Sequence, residues 1–372
     1  MNGRVFAVIH FQRRGASYLA AALYDDGELL QLSVRPYPDP TLIGNVYLGK
    51  AESSHPEIGG CFVRIGEETC FLPDRSVKPG TELLVQVTKD AVGAKKPCVS
   101  AKLSLTGTYA VAEEGSGISY SRHLSKARKA ELAPLAEETG CRITFRTACA
   151  DAHLPDIRAE IGILTGTIRA LRERETMRTA FSLLHTPPAF YADMYTRLRG
   201  GAPDRIVTDD PTAYGELRSR AGAVPVSYYD DAFPLAKLYN LERDVERLLE
   251  TRVHLKSGAE LVIEQTEAFV SIDVNSSKKS SGKDPELTYL AVNLEAAGEA
   301  ARQIRLRNLS GIILIDFINM RRAENNAALL AKMKEHLAED PLTASAVDIT
   351  ALGIMEIVRK RTQKTLAAQL LP

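Results

Sequence analysis

No stretch of this 372-residue chain approaches the 18 consecutive apolar residues that would mark a membrane-spanning helix. There is no net charge either. Lys plus Arg and Asp plus Glu number 47 each, so any basic surface for an acidic partner has to be local. The five cysteines (Cys61, Cys70, Cys98, Cys141, Cys149) are odd in number and include no Cys-x-x-Cys, which reads as reduced, mostly buried thiols in a cytoplasmic protein. The opening MNGRVFAVIHFQRRG lacks a long apolar core and soon meets Asp25 and Asp26, so no signal peptide is expected. Internal repeats and low-complexity tails are also absent. What remains, 45% hydrophobic and 25% charged, is the composition of a globular protein too long for one core. Two to four modules are expected.

Strand-like runs come first: FAVIHF, SYLAAALY and ELLQLSV, closed by PYPDP at 36–40. From Leu42 to Leu105 short β-branched runs (NVYLG, GGCFVRIG, TCFLP, ELLVQVT) alternate with glycines, as in a small barrel. Helical periodicity then appears in SKARKAELAPLAEETG, RAEIGILTGTIRALRERE and PLAKLYNLERDVERLLETR. The last third alternates. AFVSIDV reads as a strand, NSSKKSSGKD as a loop, and Pro285 as the first residue of a helix. GIILIDFI is a second strand, Ala323 to Leu337 a second helix, SAVDIT a third strand, and GIMEIVRKRTQKTLAAQLL a third helix. Such alternation predicts parallel strands joined by right-handed crossovers.

Two of these strands carry a carboxylate near the C-terminal end, Asp273 in AFVSIDVN and Asp316 in GIILIDFINM. Ligands bind at that end of open α/β sheets. Parallel neighbours lie about 4.8 Å apart, so two acids there would each raise the other's pKa unless a cation sits between them. Mg²⁺ suits the pair, since it takes one or two carboxylates and keeps waters for a substrate phosphate. With oxygen ligands Mn²⁺ would serve as well. Asn275 points to the same side as Asp273 and can offer an amide to a phosphate or to water on the metal. The competing reading makes each Asp a helix cap. Asn319 stands nearer its helix, and the loop after Asp273 is about ten residues long.

The segments LKSGAELVIEQTEAFVSIDVNS and NLEAAGEAARQIRLRNLSGIILIDFINM, followed by LGIMEIVRKR at 352–361, resemble the ribonuclease E/G family of bacterial endoribonucleases. The resemblance covers nearly the whole chain and is most specific over 255–361. It implies an α+β and α/β multidomain protein: an RNase H-like fold over 1–37 and 185–250, an inserted S1-type OB barrel over 38–106, and a 5′-sensor domain over 107–184. A DNase I-like α/β catalytic domain would follow over 251–372. It also implies cleavage of single-stranded RNA by water activated at a Mg²⁺ held by Asp273 and Asp316, with Asn275 beside them and a 5′-phosphate left on the downstream product.

In GCFVRIG the alternation sets Cys61, Val63 and Ile65 against Phe62 and Arg64; if the first set faces the core, Phe62 is an exposed aromatic beside a cation, as in OB folds that stack bases, the competing reading being that Phe62 or Phe71 is a core residue. Phe62 and Phe71 match aromatic RNA-binding positions of the family barrel, and Lys95 and Lys96 add charge. ITFRTA supplies Arg146 and Thr147, which match the family's 5′-monophosphate sensor, where Arg can grip a phosphate with two parallel hydrogen bonds. Gly117, in SGISYSR, matches a position near the same pocket, and its missing Cβ lets a phosphate approach.

The chain departs from the family in several places. The Cys-Pro-x-Cys zinc link is missing, so no zinc is expected and any homo-oligomer would form without it. DPLTASA at 340–346 has no Arg or Lys where the family is basic, Tyr120 and Ser121 precede Arg122, and Asn319 replaces an Asp. These departures keep an RNA-binding protein without cleavage activity as the alternative. A phosphatase of small nucleotides is a weaker third reading.

Overall fold

The computed structural model describes residues 3–91, 95–122, 124–137, 139–198, 201–276, 285–361 and 363–370; most of the polar loop expected after Asn275 lies outside them. Two compact units form, one from residues 1–39 with 189–372 and one from 40–188. The first three expected strands are present as an antiparallel meander: β1 (Arg4–Arg13), β2 (Ala16–Asp25) and β3 (Glu28–Pro36). Gly15 and Gly27, both at positive φ, close its two tight turns.

In the second unit β4 (Val46–His55), β5 (Gly60–Ile65), β6 (Glu68–Leu72), β7 (Glu82–Lys89) and β8 (Cys98–Ser100) pair in the order β4-β5-β6-β8-β7. β7 also pairs with β4, so the sheet closes on itself as a small five-strand barrel of OB-like kind. Alternation works as read: Cys61, Val63 and Ile65 are buried inside, while Arg64 is exposed and Phe62 partly so. A four-stranded sheet follows, ordered β11-β12-β10-β9, from β9 (Ser104–Thr106), β10 (Ala110–Glu114), β11 (Ile118–Tyr120) and β12 (Cys141–Phe145). Helices α1 (Lys126–Ala136) and α2 (Leu154–Arg174) cover it, α2 through Ile157, Ile161, Ile168 and Leu171 at helical spacing. Strand β13 (Leu183–His185) then joins β4 at the barrel.

Back in the first unit, α3 (Phe190–Thr196), β14 (Arg205–Thr208), α4 (Pro211–Arg220) and β15 (Val226–Tyr228) extend the meander into a five-stranded sheet, β15-β14-β1-β2-β3. Its two faces are covered by α3 and α4 on one side and by α5 (Leu235–Leu238) and α6 (Leu241–Leu249) on the other. That double burial is why SYLAAALY is apolar at consecutive positions. The single helix read into PLAKLYNLERDVERLLETR is two helices, broken at Asn240 with φ 54°.

The remaining strands are β16 (Arg252–His254), β17 (Glu260–Gln265), β18 (Phe269–Asn275), β19 (Gly311–Asp316), β20 (Ala344–Ile349) and β21 (Ile354–Arg359), in the order β16-β17-β18-β19-β21-β20. Helices α7 (Pro285–Leu306) and α8 (Ala323–Ala338) bury one face, and α9 (Leu366–Leu370) ends the described chain. One expectation fails here. β18, β19 and β20 run in the same direction, but β21 stands between β19 and β20 and pairs antiparallel with both, because IMEIVR is a strand rather than the start of a helix. Met355, Ile357 and Arg359 alternate onto the buried face, a period-2 pattern that the basic residues after it disguised as helical. Gly353, at φ 87°, makes the hairpin that brings this strand antiparallel to its neighbours. Arg359 ends it as half of a fully buried ion pair with Asp340. Among the described residues no helix is long and apolar enough to cross a membrane.

Candidate active site

The two acids meet. β18 and β19 run parallel in a register that makes Asp273 and Asp316 direct partners, so their side chains leave the same face of the sheet about 4.8 Å apart at the backbone. Both are exposed, while Ile272, Val274 and Ile315 beside them are buried on the opposite face. Each such apolar side chain contributes about 1.5–3 kcal/mol to fixing the strands. Asn275, two residues on, donates its amide to Asp273 at 2.6 Å. Val262 and Ile354 are the register partners on the outer sides, so apolar residues flank the pair. Among the described residues neither carboxylate forms an ion pair with a Lys or Arg, and no group of three or more acidic, His or Cys side chains gathers to hold a metal. Two carboxylates and one amide, all oxygen donors or a phosphate partner, are the donor set of a hard cation that keeps several waters. The helix-cap reading fails, because α8 begins at Ala323 and α7 at Pro285.

What holds this end of β19 is a side chain from a distant helix. Asn293 in α7 is fully buried, accepts from Ile318 N at 3.1 Å and donates to Ile318 O at 2.8 Å. A buried Asn on the apolar face of a helix was the available signal. Glu286, in the first turn of α7, accepts from Arg321 N and Arg322 N at the start of α8, and these backbone donors hold its carboxyl below the usual range. Asn319 is exposed in the same loop and faces Gly353. A cleft of about 470 Å³ opens beside this loop, lined among others by Asn319, Asn326, Thr350 and Leu352.

On the barrel, Phe62 and Phe71 are register partners on β5 and β6 with ring centroids 5.8 Å apart. Both are partly exposed, and His55 packs on Phe62 at 5.1 Å. Neither phenylalanine is a core residue. Lys95 and Lys96 are exposed just before β8, whose Cys98 pairs with Phe71, so Lys96 leads into the strand beside the one that carries Phe71, and Phe62 lies one strand further on. A side chain at Gly60 would strike the Phe71 ring, so that glycine lets the aromatic surface form.

Arg146 and Thr147 follow β12 directly. The Arg146 guanidinium donates to Gly107 O, and the Thr147 and Ser121 hydroxyls lie 2.7 Å apart. Tyr120 stacks on Phe145 at 5.5 Å, which gives the departure from two basic residues a packing role. Gly117 sits at φ 119° with open space where a Cβ would stand. It precedes β11 at the end opposite Arg146, level with Arg142, which itself bonds Ser119. The four-residue offset along the strands is about 13 Å. Burial pushes the Cys70 thiol up to about 12 and the Cys149 thiol up to about 11, so neither is a nucleophile candidate.

The profile of the ribonuclease E/G family matches residues 104–362, more than half of the chain. Ribonuclease G of Haemophilus influenzae is 28% identical over 382 residues, covering 93% of this chain and 78% of that protein. Ribonuclease G of Escherichia coli K12 is 27% identical with the same coverage. Ribonuclease E of a Nostoc species is 28% identical over 92% of this chain, which spans only 54% of that longer protein. A match of that extent, over the residues that carry the paired acids, places the chain in the ribonuclease E/G family.

Proposed function

We propose that this chain is an endoribonuclease that hydrolyses single-stranded RNA with a divalent cation, Mg²⁺ or Mn²⁺, held by Asp273 and Asp316. The observation that carries the reading is their direct register on neighbouring parallel strands, on one exposed face and without a cationic partner among the described residues. When bound, the cation supplies a Lewis acid and positive charge for a phosphodiester. Asn275 orients the Asp273 carboxylate through its amide, and the Asn293 clamp on Ile318 keeps the strand end that presents Asp316 in place. The names of the relatives, ribonucleases G and E, support RNA as substrate.

The rest of the proposal follows the same lines. Phe62 and Phe71 stack bases, and Lys96 meets the backbone beside them. Arg146 and Thr147 receive a 5′-monophosphate and thereby stimulate cleavage, with Gly117 under the nucleotides that follow. The meander-based sheet is RNase H-like, the barrel S1-type, the 107–184 region the sensor and the last sheet DNase I-like. Work in the cytoplasm agrees with five unpaired cysteines. The test is a gel of labelled single-stranded RNA incubated with Mg²⁺ or with EDTA. Product only with metal is expected. Binding without any metal-dependent product would favour an RNA-binding protein without cleavage.

A further inference from the structure

β5 and β13 occupy the same edge of β4 in succession, so the segment leading into β13 runs up to the C-terminal end of β5. There Phe181 adopts φ 73°, a conformation that a bulky residue rarely accepts and a glycine would hold without strain. Its backbone is locked to β4 by Phe181 N–H to Leu48 O at 2.6 Å and Leu48 N–H to Ser182 O at 3.0 Å. What the position gains from Phe is the ring. The Arg64 guanidinium lies over it, 4.2 Å from the centroid. Glu52 pins the same side chain through Arg64 Nε at 3.0 Å, yet Arg64 remains 45% exposed.

Arg64 is two residues from Phe62 on the outer face of β5, roughly 6.8 Å along the strand. An extended single strand covers that distance with about one nucleotide. We propose that Arg64, placed over the Phe181 ring and still open to solvent, is a second stacking platform that takes the base next to the one on Phe62. This rests on the RNA-binding reading above and adds a position that reading does not use. A planar guanidinium stacks on bases, and this one already sits over an aromatic ring, 4.2 Å from its centroid. Glu52 cancels much of its charge, which makes it better suited to a base than to a phosphate.

Binding is measured by fluorescence anisotropy on the full chain in EDTA, with 12-nucleotide single-stranded RNAs, each carrying one abasic position. Arg64→Lys keeps the charge and loses the plane; Arg64→Gln loses both. Stacking predicts that both weaken binding roughly tenfold. It also predicts that Arg64→Lys leaves the salt dependence unchanged, and that one abasic position costs the wild type the same factor but costs Arg64→Lys nothing more. Phe181→Leu should behave like Arg64→Lys with an unchanged thermal midpoint. Rescue by Lys would assign Arg64 to a phosphate and overturn the proposal. Equal weakening of every abasic RNA would assign it to structure and also overturn it. Loss in Phe62→Ala with none in Arg64→Lys refutes this platform alone, whereas a wild-type chain that binds no RNA refutes the underlying reading too.

Discussion

Replacing Asp316 by Asn changes one charge on an exposed strand end and almost nothing in shape. Asp273 and Asp316 project from partner positions, so their charges sit roughly 5 Å apart and repel by about 1 kcal/mol at solvent dielectric. Without metal the variant should therefore be as stable as the wild type or up to about 1 kcal/mol more stable. With Mg²⁺ the order reverses, because half of the charged donor set is gone. A cation worth several kcal/mol to the chemistry, held by one carboxylate instead of two, should lose about 3 kcal/mol of that stabilisation, and every 1.36 kcal/mol is tenfold in rate. Cleavage of a 5′-monophosphorylated single-stranded RNA should fall at least roughly a hundredfold. Anisotropy in EDTA should show RNA binding unchanged, and a thermal scan should show that Mg²⁺ raises the wild-type midpoint more than the variant's. A variant that cuts as fast as the wild type would refute the shared-metal assignment.

Arg146→Ala should slow cleavage of 5′-monophosphate RNA more than that of 5′-hydroxyl RNA; equal slowing in parallel time courses would make Arg146 structural or a general backbone contact. Asp340→Ala strands the buried Arg359 guanidinium, each partner being 2% exposed, and should cost about 3–5 kcal/mol in urea unfolding. A loss below 1 kcal/mol would mean that Asn308 and Leu309 O alone satisfy Arg359. Alkylation of the native protein at pH 8 should spare Cys70 and Cys149, whose thiols stay protonated through burial, and mass spectrometry of the digest would detect any failure.

The sequence by itself determined which residues face inward along β5 and where two carboxylates end apolar runs. Those are period-2 patterns set within a few neighbouring residues, so Cys61, Val63 and Ile65 could be assigned to a core, and Phe62 and Arg64 to a surface, before any fold was known. The same local reading misjudged IMEIVR, because its alternation is short and Arg359, Lys360 and Arg361 imitate the polar face of a helix. Only the tertiary structure decided that Asp273 and Asp316 share a register, that Asn293 clamps a loop 25 residues away, and that Phe181 reaches Arg64 across more than a hundred residues. Strand pairing and side-chain contact depend on which distant segments become neighbours. That choice is made by burying the whole sheet face under α7 and α8, a sum over many residues that no single stretch of sequence carries.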